Sequence, residues 1–579
     1  MIRALSVLVL AALLSACAGP MAGGSAGPVT VGVIAINDFH GALEPPKQSV
    51  FVPQPGGDPV GVPAGGAAWL ASAIDGLRSR YAHHVTVSAG DLIGASQIAS
   101  SLYLDEPAVG VMNRIGLDFD AVGNHEFDRG RAELLRMQNG GCAQHTARRP
   151  CQVERFPGAR FRFLSASTTK ADGSTLFPAT GIKRFGTGRR RVAVGFVGLT
   201  LKATPTLVSP AGVAGLAFGD EADAINAAVP RLKAQGADAV VVLIHQGGKT
   251  EAGSDPSGCA GLVGEIQPII ARLDRRVDVV VSGHTHAAYV CDYAAINPAH
   301  PLLLTSAGVY GALVTDIALE IDPLAHRVVG KHARNVVVQS QPYVASRGSV
   351  VNTGAVARFA PRADVAAYVA RYVAAAQAQA DRRVGRLAGP AARRELGDVD
   401  YGGPLGMLIA DAQLAATAHA GAQIALMNPF GIRAPLDPAA DGAVTFGQIY
   451  ATQPFGNQLA TLTLRGADLK AVLEQSFADS GPEQFLTPSA SFRYTVDRTA
   501  PAGARVIAMM LDSQPIVPTA DYRVTVSDFL AQGGDGFSKF GTQRGAVLGG
   551  TDIDAFAAWL QADVPRRVPV EPRIAEIRR

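Results

Sequence analysis

With 579 residues the chain exceeds what one hydrophobic core holds, so two or more domains are expected. Its 52 Lys and Arg against 49 Asp and Glu leave a formal charge of only +3, and no basic run interleaves with aromatics, so no nucleic-acid partner is expected. Hydrophobic residues make up 48% and charged residues 17%; the excess lies in short Ala, Val and Leu runs, which fits buried sheets rather than a membrane bundle.

The chain opens with "MIRALSVLVLAALLSACAGP". Arg3, the apolar run Ala4–Leu14 and the small residues after it read as a secretory signal, too short to span a bilayer. "LSAC" (Leu14–Cys17) resembles the lipobox of bacterial lipoproteins. The resemblance implies removal of residues 1–16, a lipid on Cys17, and a flexible tether over 17–28. An ordinary cleaved signal with Cys17 incidental is the simpler alternative. Ala18 is not the Asp that favours inner-membrane retention in enteric bacteria, so the expected site is the outer membrane, facing the periplasm or the cell surface. Cys142, Cys151, Cys259 and Cys291 remain, an even number in an exported chain, and proximity pairs Cys142 with Cys151 and Cys259 with Cys291.

Downstream, "VTVGVIAIND" (Val29–Asp38), "HHVTVSAGD" (His83–Asp91), "RRVAVGFVGL" (Arg190–Leu199), "ADAVVVLIHQ" (Ala237–Gln246) and "VDVVVSGHTH" (Val277–His286) are β-branched apolar runs that read as buried strands. Helical patterns such as Gly219–Gly236 lie between them, giving an α/β layered domain. "RADVAAYVARYVAAAQAQADRRVGRL" (Arg362–Leu387) reads as an unbroken connecting helix. Beyond it the texture turns α+β, with runs such as Asn457–Phe477. The boundary is placed at 345–385: a first domain over 29–345, a linker over 346–385 and a second domain over 386–579.

Ligand-type side chains recur where these strands end. Asp38 and His40 follow the first, Asp91 ends the second, and Asn124 and His125 follow "FDAVG". His245 ends "VVVLIH", and His284 and His286 end "VVVSGHTH". Sites in open α/β sheets form beyond the carboxyl ends of strands, and five of the twelve histidines fall in these loops. Asp, His and Asn without Cys make an oxygen and nitrogen donor set, suited to Mn²⁺, Zn²⁺, Fe or Co. Seven ligands are too many for one ion. A carboxylate shared between two would give each about four, with open positions for water and substrate. Such a pair lowers the pKa of bound water towards ~7 and clamps a displacement at phosphorus. Competing motifs fail: "HQGGKT" would need Gly where Leu243 stands for a P-loop, "HEFDR" is not HExxH, and no GxSxG is present.

The ordered set "NDFHG", "SAGDLIGAS", "GNHEFDRG", "LIHQGG" and "SGHTH" resembles the calcineurin-like metallophosphoesterase motifs of bacterial 5′-nucleotidases, whose relatives include UDP-sugar hydrolases and 2′,3′-cyclic-nucleotide phosphodiesterases. "NPFGIRAPL", "QPFGNQLATLTLRGADLKAVLEQ" and "YRVTVSDFLAQGGDGFSKF" resemble the family's C-terminal substrate domain. The resemblance implies a four-layer α/β/β/α sandwich followed by an α+β domain, two divalent ions (Mn, Zn, Co or Mg) and a nucleotide substrate.

Residue by residue, it implies that Asp38, His40 and His286 hold one ion, that Asn124, His245 and His284 hold the other, and that Asp91 bridges them. His125 would face the substrate phosphate, oriented by Asp128, whose other possible role is to cap the helix that follows. Phe455 and Phe529 would sandwich the base, although in isolation "PFG" and "DFL" read as core. Arg433 would meet phosphate, with Arg394 or its neighbour Arg393 as a second phosphate ligand. Asn428, Asn457 and Asp535 would bond base or ribose. Phe430 stands where the family usually has Gly, Met407 where it usually has Asn, and "SASTTKADG" lacks the Asn of the common "SAN".

The expected activity is 5′-nucleotide hydrolysis. Alternatives on the same metals are cyclic-nucleotide, UDP-sugar or NAD cleavage and a thiosulfohydrolase-like reaction; the alternative of another class is a surface nucleotide-binding lipoprotein whose catalysis has decayed.

Overall fold

The computed structural model describes residues 27–577 apart from 55, 147, 252–254, 346–347, 397–398 and 478–483, so the leader, Cys17 and all but the end of the tether lie outside the described residues. Among those residues, no helix is long and apolar enough to cross a membrane.

Two six-stranded sheets stack face to face in the first half. One runs, in spatial order, Arg327–Val337, Leu313–Asp322, Val29–Ile36, His84–Ser88, Phe119–Ala121 and Arg162–Leu164. The other runs Ala288–Asp292, Leu303–Ala307, Val279–Ser282, Ala239–Ile244, Val192–Leu199 and Thr180–Phe185. In the first sheet the strands from Val29 to Leu164 pair in parallel, and in the second so do the four central ones.

Strand alternation explains the layering. In Val29–Ile36, Val31, Val33 and Ala35 point into the core between the sheets, beside Val194, Val241 and Val281. Ile34 and Ile36 point the other way, onto helices Ala67–Arg78 and Glu106–Ile115. Helices Glu221–Ala234 and Ile266–Ile270 cover the outer face of the second sheet. The expected α/β/β/α sandwich is present. The pairs Cys142–Cys151 and Cys259–Cys291 are both disulfide-bonded.

The Ala-rich helix is shorter than its composition implies. It spans Ala363–Ala380, and Arg383–Arg386 is a strand paired with Ala443–Thr445. Past its C-cap at Asp381 the chain runs close to helix Asp552–Leu560: a Cβ on Gly385 would lie 2.1 Å from the Leu560 carbonyl. Val365, Tyr368, Val369, Tyr372 and Ala376 line one face of the Ala-rich helix and join the first domain's core. Beyond it, a five-stranded sheet (Thr487–Pro488, Ile424–Met427, Asp521–Ser527, Gln458–Arg465, Arg544–Thr551) and a four-stranded one build the α+β half.

The halves touch. Ile98 of the first domain packs against the second domain's core, and the hydroxyls of Ser101 and Tyr450 lie 2.6 Å apart. Arg129 donates to Ser101 Oγ at 2.9 Å and pairs with buried Asp105.

Asp552, 4% exposed, opens the helix that Gly385 abuts. Burial pushes its carboxyl up to about 7, against the hydrogen bond it accepts from the Ile553 amide. The folded state therefore holds this proton more tightly than the unfolded chain. The stability it contributes is complete below about pH 4 and is lost as pH rises to about 7. Asp552→Asn keeps an acceptor for Ile553. It is expected to flatten the fall in stability between pH 5 and 8, gaining roughly 2–4 kcal/mol at pH 8 in denaturant titrations.

Candidate functional site

The carboxyl ends of the central strands of both sheets open onto one crevice. Asp38, His40, Asp91, Asn124 and His245 are buried there, with His284 and His286 at its edge. Ligand-type atoms converge in three overlapping groups: Asp38, His40 and His286; His40, Asp91 and His125; Asp91, His245 and His284. Asn124 Oδ1 joins the last, 3.1 Å from both His245 Nε2 and His284 Nδ1. The structure thus brings together all seven residues expected as ligands, with Asp91 between the two outer groups.

Backbone conformation is part of the construction. Asp38, His40, Asp91, His284 and His286 have φ of +48°, +47°, +52°, +70° and +57°. Non-glycine residues rarely adopt this region, at a cost of about 1–3 kcal/mol each, and strain of this kind gathers at functional sites. A Cβ on Gly123 would lie 2.1 Å from Asp91 Oδ1, so only glycine fits before Asn124.

Surrounding groups fix the directions of the lone pairs. His40 Nδ1 donates to the Gly94 carbonyl at 2.9 Å and His245 Nδ1 to the Ala89 carbonyl at 2.8 Å. Both Nε2 atoms are thereby aimed into the cluster. His40 Nε2 meets His286 Nε2 at 3.1 Å, and His245 Nε2 meets Asp91 Oδ2 at 2.9 Å. Burial pulls His40 and His284 down to about 3 and His286 well below its ordinary value, so these rings are neutral and keep lone pairs for a ligand role. Of the four ligand histidines, His245 alone is raised, to about 10: burial lowers it, and the Asp91 carboxylate outweighs burial. The crevice gathers imidazole nitrogens, carboxylates and an amide oxygen within reach of one another, a donor set that fits divalent ions taking nitrogen and oxygen.

Two residues without an expected role complete the cluster. Glu126 is 2% exposed and accepts the amides of Asp91 (3.0 Å), Leu92 (2.8 Å) and Gly123 (2.7 Å), binding two ligand loops together. Asn37 donates to Asp38 Oδ2 and to the Gly308 carbonyl, both at 2.7 Å, and accepts the Ala307 amide at 2.7 Å. Adjacency to Asp38 and His125 was the available signal. Its meaning depends on contacts with the Asp91 and Gly308 loops, far away in the chain.

Asp128 Oδ2 lies 2.9 Å from His125 Nδ1, and the helix after it (Gly130–Asn139) has Arg129 at its N-cap with no side-chain cap bond. Asp128 therefore orients His125 rather than capping. Burial lowers His125, but the charges of Asp128 and Asp91 exceed that effect and leave it raised.

From the second domain, Phe455 stacks on His125, ring centroids 5.8 Å apart and planes 14° from parallel. The Arg433 charge acts on His40, His125, His284 and His286. Phe529 lies against Gly534, on which a Cβ would be 2.5 Å from its ring. Asp535 (φ +53°) accepts from Asn428 Nδ2 at 2.8 Å and Gln484 Nε2 at 3.1 Å, and burial raises its carboxyl. Asn457 is half-buried beside Phe455, its carbonyl accepting the Asp552 amide. Arg393 and Arg394 are both exposed, and Arg393 is engaged by Asp400, by the Ile432 carbonyl and by the Phe430 ring. Phe430 stays 39% exposed and Met407 is buried in helix Gly403–Ala416.

Residues 32–288 match the family described as calcineurin-like phosphoesterase, and residues 365–542 match the 5′-nucleotidase C-terminal domain. Endonuclease YhcR of Bacillus subtilis (strain 168) is 30% identical over 551 residues, covering 94% of this chain; the chain spans only 41% of that relative's length. The 5′-nucleotidase of Bos taurus is 26% identical over 568 residues, 93% of this chain and 88% of the other. A crystal structure of a 5′-nucleotidase precursor from Thermus thermophilus superposes with a TM-score of 0.72 at 25% identity, covering 95% of this chain and all of that one.

Glu126→Ala leaves three buried amides without an acceptor. It is expected to weaken Mn²⁺ or Zn²⁺ binding about 10–100-fold, the usual effect of removing a group that orients ligands. Isothermal titration of the chelator-treated protein reads this directly, and unchanged affinity would reduce Glu126 to a loop brace.

Proposed function

Because the chain joins a calcineurin-like phosphoesterase domain to a 5′-nucleotidase C-terminal domain, it belongs to the 5′-nucleotidase family of metal-dependent phosphoesterases, and we propose that it hydrolyses nucleotides to nucleoside and phosphate outside the cytoplasm. One observation carries the substrate assignment: the second domain stacks the Phe455 ring on His125 and brings the Arg433 charge to bear on the histidines of the cluster. A base offers a face to stack on and a phosphate accepts paired hydrogen bonds.

In this reading residues 29–345 are the catalytic domain, 346–385 the connector and 386–579 the substrate domain. Asp38, His40 and His286 would hold one divalent ion and Asn124, His245 and His284 the other, with Asp91 available to both. When bound, the ions supply Lewis acidity and water activated as a nucleophile.

The chain's own groups do the rest. Asp128 keeps the His125 ring in one orientation, so that Nε2 faces the phosphate and stabilises the charge that grows on it. Arg433 draws the phosphate in. Phe455 leaves His125 and closes on the base together with Phe529, while Asn428, Asp535 and Asn457 bond base or ribose. Arg394 approaches the phosphate, since its neighbour Arg393 is held by Asp400. Rotation of one domain on the other about the connector brings substrate to the metals. Export with a lipid on Cys17, at the outer membrane, accords with the leader pattern and with the two disulfides.

A hydrolysis panel tests the reading: AMP, ADP, ATP, UDP-glucose, 2′,3′-cAMP and bis-p-nitrophenyl phosphate, with Mn²⁺, Zn²⁺ or Co²⁺ restored after chelation. Metal-dependent release of phosphate from AMP is expected. Turnover of the synthetic diester without any nucleotide would overturn the substrate assignment. His125→Ala should lower kcat by about 10²–10³ with two metals still bound by elemental analysis. Loss of metal instead would make His125 a ligand.

A further inference from the structure

The end of the first domain away from the crevice is built from two tight turns and the point where the chain enters. Strand register places them together. Val29 pairs with Ile321, and the next residue, Asp322, pairs with Arg327, so the first sheet's hairpin turn flanks the start of its first strand. In the second sheet Arg184 pairs with Ala193, so the turn 186–191 lies at the amino ends of that sheet's parallel strands. The sheets also meet here: the rings of His83 and Phe185 have centroids 5.7 Å apart, and His326 Nδ1 lies 2.7 Å from Asp238 Oδ1.

The turn of the second sheet splays cations outward. Gly186 has φ +68°, and a Cβ there would lie 2.4 Å from the Arg190 carbonyl, a fold-back that glycine alone makes without strain. Arg189, Arg190 and Arg191 follow, all exposed, and none of them forms an ion pair with a described residue. Arg184 and Arg327, also exposed, lie at the same end. The carboxylates around them are engaged elsewhere. Asp118 pairs with Lys183 and Asp274 with Arg276. Asp238 accepts the Ala193 amide at 2.7 Å, Asp278 the Val240 amide at 2.9 Å, and Asp322 the amides of Leu324 and Ala325 at 2.8 and 3.0 Å. These five arginines exceed the whole chain's formal charge of +3, so the rest of the molecule, taken together, is negative. Leu324, at the tip of the first sheet's turn, is 59% exposed among the cations.

Cations on protruding turns beside an exposed leucine fit a surface that is anionic outside and apolar beneath. A nucleic acid fits poorly, because the described rings at this end are covered: His83 packs on Phe185, and Tyr81 lies over Gly32. The entry point of the chain points to the same partner. Residues 18–28 reach at most about 40 Å when extended. A lipid on Cys17 would therefore keep the domain near a bilayer without choosing which side faces it.

We propose that this end of the first domain docks on an anionic lipid surface, with Arg189, Arg190 and Arg191 among the headgroups and Leu324 at the acyl boundary. The crevice, at the opposite ends of the same strands, then opens away from the lipid and towards water. The proposal concerns binding alone and stands apart from the hydrolytic reading.

The test is flotation of the full chain with vesicles of phosphatidylcholine containing about 30% phosphatidylglycerol, and with vesicles of phosphatidylcholine alone. The apolar run Ala4–Leu14 and any lipid on Cys17 act on both alike, so the ratio of the two affinities isolates the charged face. A ratio of about 100 or more is expected in roughly 50 mM salt, collapsing in roughly 0.5 M. Replacing Arg189, Arg190 and Arg191 with Ala should lower it about 100-fold, about fivefold for each arginine, and replacing them with Lys should preserve it. Arg493→Ala, Arg544→Ala and Arg567→Ala together make the same change of charge on the second domain and should leave the ratio within twofold. Leu324→Trp should add emission that a lipid-borne quencher removes in anionic vesicles. Circular dichroism matching the wild type shows each variant folded. Equal losses in the two triple variants would reduce the effect to net charge and overturn the proposal. A wild type with no preference for anionic vesicles, or a Leu324→Trp emission untouched by the quencher, would overturn it as well. Arginine-dependent binding to duplex DNA without that preference would replace the lipid with a nucleic-acid partner.

Discussion

The crowding of seven ligand-type side chains into one buried crevice is the constraint on which the first domain depends. His245 Nε2 lies as close as a hydrogen-bonded atom to Asp91 Oδ2 and Asn124 Oδ1, as do the Nε2 atoms of His40 and His286 to each other. Backbone carbonyls behind the rings, left-handed loops at five of the seven positions, and the braces Glu126 and Asn37 together hold these groups in a geometry suited to divalent cations. The strain is stored in the loops, and the inter-sheet core stabilises the fold enough to carry it.

That core has a second consequence. Because both sheets end at the same crevice, ligands far apart in the chain, such as Asp38 and His284, meet through the stacking of Val33, Val241 and their neighbours rather than through any local motif. The second domain is seated by different means. Ile98 packs into its core, Tyr450 meets Ser101, and Arg129, adjacent to the Asp128 that orients His125, reaches the same serine. The loop that aims His125 is thus continuous with the contact between domains.

Much of this was legible in sequence because the signals were local. Each of the five β-branched runs contains a strand, and the polar residues at their ends form the cluster. The four later cysteines pair as proximity implied. What was not legible depends on long-range contact. Glu126 looks like spare acidity until three amides from two loops are seen to converge on it. The Ala-rich run reads as one helix to Leu387, yet it ends at Ala380 and Arg383–Arg386 pairs as a strand with Ala443–Thr445, a partner of which composition carries no trace. Asp128 had two possible roles at the same distance along the chain, and only side-chain direction separates an orienting carboxylate from a cap.

The stack of Phe455 on His125 makes the protein its own first ligand. Any guest must unseat that ring. If the contact is worth ~1 kcal/mol, it lowers apparent affinity about fivefold for every guest alike. A guest with an aromatic base recovers the loss by giving the ring a new partner; bare inorganic phosphate cannot. If the chain acts as proposed, the same residue would filter guests at entry and help displace phosphate after reaction, since phosphate left alone competes with a ring that is always at hand. Product inhibition would then be held down by a side chain that never touches the bond being broken.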